Sequence, residues 1–113
     1  MASPLIQAAA TTTGAGEIIP APPGSNHCIH VVYTWATAQP TALAVELLGS
    51  LDGVNFVVLG TVTFNGAELT AKQAMLFVTG SPMRYVKSNV KTLTTAGTAS
   101  INVYYEQDTY GRN

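Results

Sequence analysis

The stretch His27-Cys28-Ile29-His30-Val31-Val32-Tyr33-Thr34-Trp35 sets the reading of the chain. Ile29, Val31, Tyr33 and Trp35 fall on one side of a two-residue period, with Cys28, His30, Val32 and Thr34 on the other. β-Branched and aromatic side chains suit a pleated, half-buried surface, so the run predicts a strand. The same logic carries outward along the chain. Ala42–Ser50 predicts a second strand with Leu43, Val45 and Leu47 on one face. Asp52-Gly53 marks a tight turn, since both residues tolerate the backbone angles it demands. Val54–Phe64 follows as a long strand in which Gly60 is placed to bulge, and Asn65-Gly66 reads as another turn. Residues 69–79 are ambiguous: Ala71–Leu76 fits a helical turn before Phe77 and Val78 extend. Gly80-Ser81-Pro82 breaks the run, Met83–Val90 alternates well, and 92–98 is a polar loop. Ser100–Glu106 closes the pattern, with Ile101, Val103 and Tyr105 against Asn102 and Tyr104.

Short strands with turn signals between them predict an all-β fold, an antiparallel β-sandwich of jelly-roll-like type. Residues 1–26 read differently. Ala8-Ala9-Ala10, Thr11-Thr12-Thr13, Gly14-Ala15-Gly16 and Pro20-Ala21-Pro22-Pro23-Gly24 lack periodicity, and the prolines favour extended backbone. The expected organisation is therefore an extended N-terminal arm, 1–26, ahead of a β-sandwich domain, 27–113. A purely solvated leader has no use for Leu5, Ile6, Ile18 and Ile19, so these four are the candidate partner-binding anchors of the arm. Removing residues 2–24 is expected to leave the sandwich folded.

The charge content narrows the function classes. Charged residues make up 10% of the 113, the net charge is −1, and 47% of residues are apolar. A typical soluble domain carries about 25% charged residues. So little repulsion between copies predicts a surface that other chains cover, and a homo-oligomer, a dimer or trimer. Lys72, Arg84, Lys87, Lys91 and Arg112 are the only basic residues, too few and too late in the chain to track phosphates, so no nucleic-acid partner is expected. No apolar run is long enough for a membrane-spanning helix, and no membrane partner is expected. Leu5–Ala10 follows Pro4 and lacks a basic flank, so it does not read as a signal peptide. The lone Cys28 allows no internal disulfide and suits assembly in a reducing cytoplasm.

The residues give little support to catalysis. His27-Cys28-Ile29-His30 is the one group with metal-ligand chemistry, but in a strand His27 and His30 point to opposite faces. One His and one Cys do not complete a site, so no metal is expected. Glu17, Glu46, Asp52, Glu68, Glu106 and Asp108 are scattered, and no nucleophile elbow or phosphate loop is present. No catalytic residue and no cofactor is therefore expected, and the chain is not read as an enzyme. Tyr104, Tyr105 and Tyr110 form a candidate surface aromatic patch near the C-terminus.

The sequence Glu46-Leu47-Leu48-Gly49-Ser50-Leu51-Asp52-Gly53-Val54-Asn55-Phe56-Val57-Val58-Leu59-Gly60-Thr61 resembles a hairpin of discoidin-like sandwich domains. Met83-Arg84-Tyr85-Val86-Lys87 and Ile101-Asn102-Val103-Tyr104-Tyr105 resemble later strands of that family. The resemblance implies that Phe56 packs inward and, as one functional alternative, a carbohydrate-binding module. Over the whole chain, the Ala/Thr/Gly-rich arm, this hairpin and Arg84-Tyr85-Val86-Lys87-Ser88-Asn89-Val90 are similar to small virion proteins of tailed bacteriophages, among them capsid decoration (cement) proteins. That resemblance implies a structural protein on the capsid exterior of a virion, assembled in the host cytoplasm, with the major capsid protein as partner. A tail or baseplate component is the other alternative.

Overall fold

The computed structural model describes residues 5–21, 26–80, 82–95 and 97–108. Its strands pair in a nested order. β1 (Leu5–Ala10) lies antiparallel to β9 (Thr98–Asp108), while β2 (Gly14–Ala15) and β3 (Ile19–Pro20) both pair with β8 (Tyr85–Thr94). β4 (Asn26–Ala36) pairs with β7 (Gln73–Val78), and β5 (Ala42–Ser50) with β6 (Val57–Phe64). The chain is thus one long antiparallel hairpin doubled about the turn at 51–56. It rolls up so that β4 also pairs with β9 and β5 with β8. Two sheets result, one ordered β1-β9-β4-β7 and one β2-β8-β5-β6 with β3 beside β8. With β2 and β3 taken as pieces of one interrupted strand, this is the strand order of a jelly roll. The all-β sandwich expected from the sequence is what forms.

Rolling follows from the alternation. A sheet with one apolar face must cover it. Ile29, Val31 and Tyr33 of β4 and Ile101, Val103 and Tyr105 of β9 face Leu43, Val45 and Leu47 of β5 and Val86 and Val90 of β8, all buried. Each such aliphatic side chain contributes about 1.5–3 kcal/mol on burial. Tyr33 packs edge-on against Phe64, with ring centroids 5.6 Å apart, and its hydroxyl donates to the Leu69 carbonyl at 2.5 Å. The bulge expected at Gly60 is present: Leu47 pairs with Gly60 and Leu48 with Val58, which leaves Leu59 without a partner position. A side chain at Gly60 would press on Leu76 and Val78 at 3.2 Å, so β7 seals the sandwich beneath this point.

Three local expectations are corrected. The helical turn lies at α1 (Gly66–Ala71), not at 71–76, because Glu68 Oε1 accepts the Asn65 backbone N–H at 3.0 Å and stabilises the first turn. The helix ends at Lys72, whose φ of 65° is left-handed, and the chain then extends at once into β7. Residues 54–56 belong to the turn, so β6 begins at Val57.

The larger correction concerns residues 5–20. They are not an arm apart from the sandwich but the edges of both sheets. Removing residues 2–24 would therefore take strands away from each sheet, and the remainder is not expected to fold.

Candidate functional site

Leu51, Val54, Val57 and Val58 stand 65%, 79%, 59% and 51% exposed at the doubled end of the long hairpin. Such an exposed apolar set, close together in sequence, calls for an explanation, because its hydration is unfavourable. The backbone carrying it is tightly tied. Ser50 Oγ donates to Asp52 Oδ1 at 2.8 Å and accepts the N–H groups of Asp52 at 3.1 Å and Gly53 at 2.9 Å. Asp52 Oδ1 also accepts the N–H of Val54 and of Asn55, each at 2.8 Å, and Asn55 Nδ2 donates to Oδ2 at 2.9 Å. These bonds, led by the two from backbone N–H groups, hold the Asp52 carboxyl well below the usual carboxylate range. Gly53 takes φ 76°, and a Cβ there would sit 3.3 Å from the Tyr85 ring. Phe56 is half-buried beneath Lys87, whose Nζ lies 4.4 Å from the ring centroid. The Asp-Gly turn was legible as a turn. The exposure around it was not, because the sequence suggests a long strand already under way at Val54, whereas β6 begins only at Val57.

The expected arm anchors separate. Ile6 is 1% exposed and belongs to the core, so it is not a partner contact. The reason is local. Gly16 lies so close to β1 that a Cβ on it would fall 2.4 Å from the Ile6 carbonyl oxygen, and the Glu17 N–H donates to that oxygen at 3.1 Å. Beside it Gln7 is buried, accepting the Ser88 hydroxyl at 2.7 Å across the two sheets and donating to the Gly14 carbonyl at 3.0 Å. Ile19 is half-buried opposite Val86, whereas Leu5 and Ile18 are exposed. A shallow open cleft of about 540 Å³ lies along residues 5–17, with Glu17 as its one ionisable side chain.

The expected tyrosine patch is also corrected. Tyr105 faces the core at 3% exposure, its hydroxyl 2.6 Å from His27 Nδ1, and burial pushes its phenol well above the ordinary value. Tyr104 is half-exposed on the outer face of the β1-β9-β4-β7 sheet, and Tyr110 lies outside the described residues. Leu5, Tyr104, His30 and Met75 form a row across that outer face, with Cys28 and Phe77 paired alongside. His27 is buried and His30 points outward, its Nε2 2.7 Å from Gln73 Oε1. Burial, then the nearby Glu106 carboxylate, pushes the Cys28 thiol up. Among the described residues no three His, Cys, Asp or Glu side chains converge as metal ligands. The described helix is too short to cross a membrane.

No protein-family model matches the chain, and none of the curated proteins does. Among solved structures it is similar to the crystal structure of the SPBc2 prophage-derived protein YomS, with a TM-score of 0.60 and 9% sequence identity. The match covers 92% of this chain and 91% of that one, so the two share a fold along almost their whole lengths.

Proposed function

We propose that this chain is a non-catalytic structural protein of a tailed-bacteriophage virion, a decoration or cement protein that stabilises the head by binding between major capsid protein subunits. The observation that carries the reading is the tip at Leu51, Val54, Val57 and Val58: apolar, exposed, and already ordered by the hydrogen bonds around Asp52 and by the pairing of Val57 and Val58 with β5. A loop ordered before it binds loses little conformational entropy on docking. Its exposed valines and leucine then stabilise the complex as they leave water. The scarcity of charge and the prophage origin of a protein of the same fold support the same reading. Many symmetric copies on a shell let each contact be modest. With Ile6 in the core, the grip assigned to the arm passes to this tip, with Leu5 and Ile18 as lesser contacts. The site of action is the capsid exterior, after assembly in the host cytoplasm.

Immunogold electron microscopy of phage particles assembled with the tagged chain tests the reading. Label over the head exterior at many positions is the expected outcome. Label confined to the tail or baseplate, or none on particles together with binding to a glycan array, contradicts it.

A further inference from the structure

We infer that β7 is a self-association edge, at which a second copy of this chain adds its own β7 antiparallel across a two-fold axis. The inference rests on the comparison of the sheet edges. An open edge presents unpaired N–H and C=O groups, and folded proteins blunt such edges with bulges, prolines, charges or very short strands. β1 is irregular, with register shifts on both sides of Gln7 and a positive φ at Ala9. β2 and β3 are two residues each, and β3 contains Pro20. β6 carries the bulge at Leu59 and Gly60. β7 has none of these devices. Its Gln73-Ala74-Met75-Leu76-Phe77-Val78 holds six consecutive pairs with β4 in unbroken register, and it contains no charge, glycine or proline. Among the described residues it pairs on one side only.

The chemistry of the edge fits a copy of itself. Met75 and Phe77 point outward, 50% and 69% exposed. Antiparallel pairing with Leu76 on the axis sets Met75 of each copy opposite Phe77 of the other, two sulfur–aromatic pairs on the outer face. The same register sets Lys72 opposite Gly80, so no like charges meet. With Gln73 at one end, apolar residues from there to Val78 and no charge within the strand, the edge offers nothing that discriminates against its own image. This deepens the proposed assembly role by naming one partner, and rests on it only for the biological use of the pair.

Light scattering over a dilution series, with disulfide cross-linking in a Cys28→Ser background, tests the pairing. The wild-type chain is expected to show a dimer that Phe77→Asp converts to monomer, while Thr61→Asp on β6 leaves it dimeric. Met75→Cys and Phe77→Cys chains are expected to cross-link when mixed and not when oxidised separately. A wild-type chain monomeric at every concentration, or cross-linking by Met75→Cys alone, overturns the inference. Thr61, Met75 and Phe77 are all exposed, and circular dichroism checks that each variant is folded. Particle labelling reports on the virion reading separately, so either can fail without the other.

Discussion

At residues 50–58, where the long hairpin doubles back, short hydrogen bonds through Ser50 and Asp52 fix the backbone while the apolar side chains face solvent. Where the hairpin's first arm closes against its last, the arrangement is reversed: β1 is irregular in register, yet it buries Ile6 completely and hides Gln7 against Ser88. Regular local geometry and burial are therefore independent in this molecule. The ragged segment holds the sandwich together, and the well-ordered turn is free to meet something else. Stability is expected to respond to changes around β1 and particle binding to changes at the turn.

The largest difference is expected between two isoleucines twelve residues apart in sequence. Ile6→Asp buries an unpaired charge and should cost upwards of about 4 kcal/mol, enough to unfold a domain of marginal stability. Ile18→Asp, at an exposed site, should change stability by no more than about 0.5 kcal/mol. Urea unfolding monitored by tryptophan fluorescence compares the two, and equal effects would break the contrast.

Ser88→Ala comes next. It leaves the Gln7 oxygen buried without its donor, with an expected loss of about 1–3 kcal/mol in the same measurement. Gln107→Leu is expected to act in the opposite direction. Among the described residues neither polar atom of the buried Gln107 side chain has a hydrogen-bond partner, so removing them should raise stability by about 1 kcal/mol.

The smallest stability effect belongs to the turn and is a pH effect. The folded carboxyl of Asp52 is held below its unfolded value, about 3.9. Its contribution is therefore fully present above that pH and is lost as the pH falls below it toward the folded value. Thermal unfolding of the wild type should hold steady down to about pH 5 with respect to this group and then decline. Asp52→Asn should be less stable at neutral pH and show a shallower decline, whereas an unchanged pH profile would remove the carboxylate from the turn's support.

Much of the fold was legible because β4, β5 and β9 alternate cleanly, and their apolar positions Ile29, Val31, Leu43, Val45, Ile101 and Val103 are the core. The first three strands were not. Ile6 and Gln7 are consecutive and both buried, and Ala9 has φ 51°, so β1 breaks the two-residue period by which strands are recognised. β2 and β3 are too short to show any period, and what builds them is pairing with β8, a contact between segments, while Gly16 between them packs closely on Ile6. Nearness to the C-terminus suggests a surface patch that includes Tyr105, yet its alternation with Ile101 and Val103 prevails, and His27 lies at its hydroxyl inside the sandwich. The tip escaped notice for the opposite reason. Apolar residues next to Asp52-Gly53 look like the start of a buried strand until the three-dimensional course of the chain leaves them outside.

The most direct test is the occupancy of purified chain on phage heads that lack it, comparing wild type with a Leu51→Ser, Val54→Ser double variant. Both side chains are exposed, so the variant should keep wild-type unfolding behaviour within about 0.5 kcal/mol. Losing two apolar contacts of about 1.4 kcal/mol each should weaken head binding about a hundredfold. A folded double variant that fills heads as readily as the wild type would contradict the role given to the tip.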